Sequence, residues 1–214
     1  MDGVLVDSEC HWKVVECEFL ASLVPTWNHD WQQRIIGMSL VDVHRLLVEQ
    51  HNCTLSRSEL VEFYQPKARE VYGEQSTLLP GAYEFVECVR SSGMKTALAS
   101  SSPRNWIEIV LSRFDLHEQF DQVVSSDDVA GVGKPSPQIY LEVSRRLGCE
   151  PERCVAVEDS KNGVLAAKLA GMLCIGFRNG ANATQDLSQA DWEAEAGFGD
   201  SLISRVLEYA NALS

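Results

Sequence analysis

Two pairs of carboxylates stand where metal or phosphate chemistry could use them. Asp2 and Asp7 bracket Gly3 in the opening stretch MDGVLVDSE, and Glu158 and Asp159 are adjacent at the end of the apolar run CVAVED. Adjacent carboxylates at the end of a buried strand repel each other and lose hydration, which is costly without a compensating charge. A hard, oxygen-preferring cation such as Mg²⁺ would remove that cost. Capping of the following helix and simple turn formation are the structural alternatives for the two pairs.

A lysine and a run of serines offer the complementary chemistry, the binding of an anion. Lys134 precedes Pro135 and the helical pattern SPQIYLEVSRRLG, where the helix dipole disfavours a cation unless an anion accompanies it. Ser100 and Ser101 precede Pro103, from which a helix is predicted. A hydroxyl with free N–H groups at a helix start forms a phosphate cradle. A solvated lysine and serines that only cap the helix are the alternatives.

The elements that must position these residues follow two patterns. From residue 8 to about residue 74 the apolar residues recur at helical spacing in four segments, with Ser39 and either Ser56 or Ser58 as N-caps. After LLPG the apolar runs KTALAS, DQVVSS, CVAVED and MLCIGF alternate with helices. This alternation predicts an α/β fold with a doubly wound parallel sheet, and the candidate residues all fall at the carboxyl ends of its strands.

Composition limits the possible functions. The 214 residues suit a core with a modest insertion, and no apolar run approaches the length of a membrane span. The net charge of −13 argues against nucleic acid as a partner. The seven cysteines form no CxxC pair, and the N-terminus lacks the pattern of a secretory signal. We therefore expect a cytoplasmic protein that binds neither nucleic acid nor membranes.

Four motifs, MDGVLVDSE, LASSS, GKPSPQIYL and VEDSKNGVLAAKLAG, occur in the order and spacing of the haloacid dehalogenase superfamily. The sequence resembles its sugar-phosphate phosphatase and β-phosphoglucomutase branch, including enzymes of the 2-deoxyglucose-6-phosphatase type. The resemblance implies a Rossmann-like core, residues 1–8 and 81–214, with an inserted helical cap, residues 9–80. It also implies a small phosphorylated metabolite as substrate, Mg²⁺ as cofactor, and a monomer or weak dimer.

The resemblance assigns roles to individual residues. Asp2 would be the general acid/base and would ligate Mg²⁺ through its backbone carbonyl. Lys134 would hold the transferring phosphoryl group together with Ser100 and Ser101. Asp159 would bind Mg²⁺ directly, and Glu158 would bind it directly or through water. Trp12 and Ser39 are cap positions that could face the substrate, although cap aromatics are more often packing residues.

Two departures from the family pattern lie in the cap. The mutases resemble Gly-x-Ser-Arg at residues 37–40, with the arginine gripping a second phosphate, but this chain has Leu40. The cap histidine of the mutases also lacks a counterpart, because His11 is one position off and Trp12 occupies its place. Both departures favour a phosphatase over a mutase.

A third departure concerns the first motif, which in the family reads Asp-x-Asp-Gly. Asp2 matches the second Asp and Met1 the residue between, so we expect the attacking aspartate immediately before Met1. A truncated sequence, or an internal methionine taken as the start, would explain why the expected aspartate falls before Met1. We therefore expect the 214-residue chain itself to be inactive. A noncatalytic protein that binds phosphometabolites is an alternative. A signalling receiver domain is a further one, disfavoured by the long helical insertion and by acids placed after the lysine.

Overall fold

Helices occupy the chain between its first loop and its first strand. The computed structural model describes residues 1–194 and 197–212. The predicted helical segment forms α1 (Ser8–Leu23), α2 (His29–Ile35), α3 (Leu40–His51) and α4 (Arg57–Glu70), and a π-helical turn, Val71–Gln75, extends α4. The four predicted helices are thus confirmed, whereas the division into cap and core stays a prediction.

Side-chain caps explain where two of these helices begin. The Ser39 hydroxyl accepts a hydrogen bond from the Asp42 N–H at the start of α3. At the start of α4, Ser56 and Glu59 form a capping box, each side chain accepting from the other's backbone N–H. Of the two candidates, Ser56 and not Ser58 is therefore the cap. Such caps satisfy N–H groups that the helix leaves without a partner.

The second half of the chain alternates helices and strands, as predicted. The elements are α5 (Ala82–Ser91), β1 (Ala97–Ser100), α6 (Arg104–Arg113), β2 (Gln122–Ser125), α7 (Gln138–Leu147), β3 (Val155–Glu158), α8 (Lys161–Leu169), β4 (Leu173–Phe177), β5 (Trp192–Ala194) and α9 (Asp200–Ala212). All strand pairs are parallel. The short strand β5 was not predicted, because its three residues lie in a weakly patterned stretch. No helix of the residues described is both long and apolar enough to cross a bilayer.

In the part of the chain that the structure describes, the strands form two separate sheets and not one. β1 pairs with β2, while β4 lies between β3 and β5. Strands β1 and β3 are thus edge strands, and both line a cleft of about 760 Å³ that also contacts Met1, Val4 and Leu5. The opening loop therefore lies beside a gap between the two sheets.

Two buried clusters stabilise this arrangement. The larger packs α1, α3 and α4 against α6 and includes the fully buried Leu20, Leu47, Leu60 and Leu111. The smaller lies between α7, α8 and the strands. Burying a leucine side chain typically contributes about 2 kcal/mol, so apolar packing holds α1, α3 and α4 against α6.

Candidate active site

One cavity, of about 100 Å³, brings together most of the predicted site residues. It lies between the helical insertion and the carboxyl ends of β1 and β3, and its lining includes Asp2, Trp12, Ser101, Lys134, Glu158 and Asp159. These residues come from separate segments of the chain that meet at one edge of the sheets, where parallel α/β folds bind ligands.

Asp2 is held by donors from three segments. Its Oδ1 accepts hydrogen bonds from the Ser8 hydroxyl at 2.5 Å and from the Tyr72 hydroxyl at 2.7 Å. Its Oδ2 accepts from the Ser102 hydroxyl at 3.3 Å. Burial, followed by the charge of Asp2, raises the pKa of Tyr72 well above its ordinary value, so this phenol keeps its proton and donates. The carboxylate is therefore fixed in orientation.

Lys134 is buried and not solvated. Its ammonium group forms an ion pair with Glu158, which also accepts a hydrogen bond from the Tyr140 hydroxyl. The ammonium donates to the Ala99 carbonyl oxygen at 3.4 Å as well. A buried lysine persists as a cation only beside an anion. Here Glu158 supplies the protein's own anion.

Asp159 is a buried acid without an ion-pair partner among the described residues. Burial, and then the neighbouring charge of Glu158, raises the pKa of Asp159 to about 7. Its Oδ2 accepts a hydrogen bond from Asn179 Nδ2 at 3.3 Å. Gly3, at a φ of +63°, lies so close that a β-carbon there would overlap the Asp159 carboxylate. The opening loop, which carries Asp2, can approach Asp159 only because residue 3 is glycine.

This donor set fits a hard cation in character. Carboxylate and backbone carbonyl oxygens are the ligands that Mg²⁺ prefers, and Mg²⁺ usually keeps several waters. Among residues 1–194 and 197–212, no three His, Cys, Asp or Glu side chains are grouped closely enough to hold a metal by themselves. A site of Asp159 with the Asp2 carbonyl and water does not require such a group. The alternative that one of the acids caps the next helix is wrong, because the Ser160 hydroxyl accepts from the Gly163 N–H there.

Two of the predicted substrate-binding residues do not line the cavity. The Ser39 hydroxyl donates to the Gly131 carbonyl at 2.7 Å, and so joins α3 to the loop before Lys134. The Ser100 hydroxyl accepts from the Ser102 N–H at 3.2 Å and shapes the serine loop from within. Ser101 and Ser102 line the cavity in its place.

The cavity also contains residues that the sequence analysis missed. Glu9 and Glu16 lie on α1 and line it, and so do three aromatic residues, Tyr64, Tyr72 and Trp106. Trp12 stacks on Trp106 with a centroid distance of 5.2 Å, and its indole N–H donates to the Tyr72 hydroxyl at 2.9 Å. Glu9, Trp12 and Glu16 are spaced three and four residues apart. This helical spacing was the available signal that they share one face.

Comparison with known proteins identifies the class and then the family. The family model described as a haloacid dehalogenase-like hydrolase matches residues 1–171. Hexitol phosphatase B of Escherichia coli (strain K12) is 37% identical over 177 residues, which are 82% of this chain and 79% of that protein. The phosphorylated carbohydrates phosphatase of Thermotoga maritima is 36% identical over 172 residues, 80% of this chain and 79% of that protein.

A comparison with solved structures supports the same family assignment. CbbY from Rhodobacter sphaeroides, crystallised in complex with phosphate, aligns with a TM-score of 0.72 and 26% identity, over 91% of this chain and 90% of that one. The fold and site thus define a hydrolase built on a Rossmann-like α/β core. The chain belongs to the haloacid dehalogenase-like hydrolase family, and at that level the prediction of a phosphoric monoester hydrolase on a Rossmann-like core is confirmed.

Proposed function

We propose that this protein is a Mg²⁺-dependent phosphatase that hydrolyses a small phosphomonoester of a sugar or related alcohol. The observation that carries the proposal is the convergence of Asp2, Ser101, Lys134 and Asp159 on one cavity. The relatives named for hexitol phosphates and phosphorylated carbohydrates support the choice of substrate class.

Each residue has a role that its surroundings suit. Lys134 and the serine loop bind the phosphoryl oxygens. Asp159 and the Asp2 carbonyl hold the metal, which when bound offsets negative charge on the phosphoryl group. The Asp2 carboxyl group is oriented by Ser8, Tyr72 and Ser102. In its protonated form it gives its proton to the leaving oxygen, and the carboxylate that results takes a proton from the attacking water.

The attacking carboxylate belongs, in our proposal, to the residue immediately before Met1. Met1 lines the cavity, and its backbone nitrogen is buried near Asp2, Lys134, Glu158 and Asp159. A residue joined to that nitrogen would lie beside these groups. Attack on phosphorus forms an aspartyl-phosphate and releases the alcohol, and water then releases inorganic phosphate.

A phosphatase is favoured over a mutase because the described residues that line the cavity include no free cation to bind a second phosphate. Leu40 lines the cavity at the position where the mutases resemble an arginine. Within the described part of the chain, Lys134 is the one cationic side chain that lines this cavity, and it is already paired with Glu158. A bisphosphate would therefore bind poorly.

The test is phosphate release from sorbitol 6-phosphate and glucose 6-phosphate by the chain extended upstream with an apolar strand ending in Asp. We expect Mg²⁺-dependent turnover with little interconversion of glucose 1-phosphate and glucose 6-phosphate. Replacement of the added Asp by Asn should reduce the rate by several orders of magnitude. Mg²⁺ should raise the melting temperature, and Asp159→Asn should reduce that rise.

Three results would count against the proposal. Turnover by the 214-residue chain itself would mean that another residue is the nucleophile. Efficient mutase activity primed by a bisphosphate would reverse the choice of reaction. Tight binding of phosphate esters without turnover by the extended chain would favour the noncatalytic alternative.

A further inference from the structure

The side of the cavity formed by α1 has no role in the chemistry proposed above. Glu9, Trp12 and Glu16, which we call the α1 face, all line the cavity. They lie on α1 and share this cavity with the residues assigned to the phosphoryl group and the metal. A group bound to the transferring phosphoryl would extend towards this face.

Glu16 is a built part of this face and not a solvated surface acid. Its Oε2 accepts from Gln32 Nε2 on α2 at 2.6 Å, and its Oε1 accepts from the Tyr64 hydroxyl on α4 at 3.0 Å. Three helices thus fix one carboxyl group at the cavity wall. A carboxylate has about four acceptor positions, so the group can accept further hydrogen bonds from a ligand.

Glu9 is the second acid of the α1 face, and its surroundings differ from those of Glu16. No side-chain hydrogen bond or ion pair involves Glu9 within the part of the chain that the structure describes. Burial, followed by the charges of Asp159 and Asp2, raises the pKa of Glu9 well above its ordinary value. A polar group at a cavity wall without a protein partner is stabilised by a ligand that hydrogen-bonds to it.

The α1 face also lacks any means of binding a second anion. Besides its two acids, the α1 face contributes the indole of Trp12, and the apolar residues Leu40 and Val43 line the same cavity. Hydroxyl groups donate well to carboxyl oxygens, and aromatic rings pack on the C–H surface of a carbon chain. A carboxylate or a second phosphate would instead meet acids without a counter-charge.

We propose that the α1 face recognises the leaving group, and that it selects an uncharged, polyhydroxylated alcohol through Glu9 and Glu16. The proposal rests on the phosphatase function above and specifies its substrate class. Such a site rejects analogues that cannot supply the hydroxyl donors, because its acids then remain without partners. Phosphate esters of hydroxy acids and bisphosphates are rejected by their second negative charge.

Calorimetric titration of the protein in Mg²⁺ tests this without requiring turnover. The ligands are inorganic phosphate, sorbitol 6-phosphate and 2-phosphoglycolate. We expect sorbitol 6-phosphate to bind about 100-fold more tightly than 2-phosphoglycolate. In Glu16→Gln the affinity for sorbitol 6-phosphate should fall about 10-fold to 100-fold, as expected for hydrogen bonds to a charged group, while that for inorganic phosphate stays unchanged.

Glu18→Gln is the matched control, because Glu18 is exposed on the same helix; it should bind all three ligands as the parent does. Glu16→Asp, with the charge kept and the reach shortened, should weaken only sorbitol 6-phosphate. Circular dichroism establishes that each variant is folded.

The outcomes separate the two proposals. Equal affinity for sorbitol 6-phosphate and 2-phosphoglycolate, or equal weakening of all ligands in Glu16→Gln, overturns the role of the α1 face and leaves the phosphatase proposal standing. Absence of binding by any phosphate ligand overturns both.

Discussion

At the scale of single residues, the site is a set of buried charges that compensate one another. Lys134 and Glu158 are 6% and 4% exposed, so their ion pair lies outside the reach of solvent. The pair keeps the lysine in place before a phosphoryl group arrives. Removal of one partner of such a pair leaves an uncompensated buried charge, which is far more costly than loss of the pair itself.

Lys134→Met should therefore destabilise the protein by about 3–5 kcal/mol. The double substitution Lys134→Met with Glu158→Gln should recover part of that loss, since no unpaired charge remains. Urea unfolding followed by fluorescence measures both. Lys161→Met, at an exposed lysine, is the control and should change stability little. A double variant no more stable than Lys134→Met alone would contradict this account of the pair.

Glu16 gives a prediction about pH. Burial raises the pKa of Glu16 from its ordinary 4.5 to about 7 in the folded protein, so folding favours the protonated acid. The folded state then binds more protons than the unfolded state, and this contribution to stability falls as pH rises from about 4.5 to about 7. Below that window the acid is protonated in both states and has no effect.

Glu16→Gln removes this titration. Relative to the variant, the parent should lose on the order of 3 kcal/mol of stability across the window, because one pKa unit corresponds to about 1.4 kcal/mol. Free energies of unfolding for both proteins at a series of pH values measure the difference. A constant difference from pH 4 to pH 8 would show that Glu16 titrates normally.

At the scale of elements, local sequence signals placed the helices and most strands but not the contacts between them. Ser39 was recognised as an N-cap from its position before an apolar helical pattern, and that is correct. The same hydroxyl also bonds to the Gly131 carbonyl, 92 residues away in the chain. No local pattern reports a contact of that range. The strand β5 was missed for a related reason, since its pairing with β4 defines it more than its three residues do.

Substitution of the N-cap residues Ser56 and Ser39 separates the contribution of N-capping from that of the bond to Gly131. Ser56→Ala should cost about 1 kcal/mol, the usual loss for an N-cap. Ser39→Ala should cost about 1 kcal/mol more, because it also removes the bond to Gly131. Urea unfolding of the two variants gives the comparison. Equal losses would mean that the Gly131 contact contributes nothing, and a selective loss of substrate affinity in Ser39→Ala would restore the predicted role in binding.

At the scale of the whole molecule, the family motifs allowed the site to be assembled from sequence, but the α1 face could not be. The residues predicted to bind phosphate and metal follow apolar runs, and the topology of a parallel sheet brings the ends of such runs together. Glu9 and Glu16, in contrast, share α1 with a third acid, Glu18. The placement of Glu16 depends on Gln32 of α2 and Tyr64 of α4, which donate to its carboxyl group. Acids on a helix are ordinarily solvated, so only the folded arrangement distinguishes these two from Glu18.

The gap between the two sheets leads to the last prediction. The cleft of about 760 Å³ is lined by the facing edges of β1 and β3, and Met1 contacts it. Edge strands present unpaired backbone groups, and a parallel strand placed between them would satisfy both edges and bury apolar side chains.

An apolar strand of four or five residues joined to Met1 should raise the free energy of unfolding by on the order of 5 kcal/mol, since each buried aliphatic side chain contributes about 1.5–3 kcal/mol. An extension of equal length made of Gly and Ser is the control and should add nothing. If the extension ends in Asp, replacement by Asn should keep the gain in stability and remove only the phosphatase activity. A stability no greater than that of the Gly and Ser control would show that the cleft does not accept a strand, and the proposed position of the nucleophile would then be wrong.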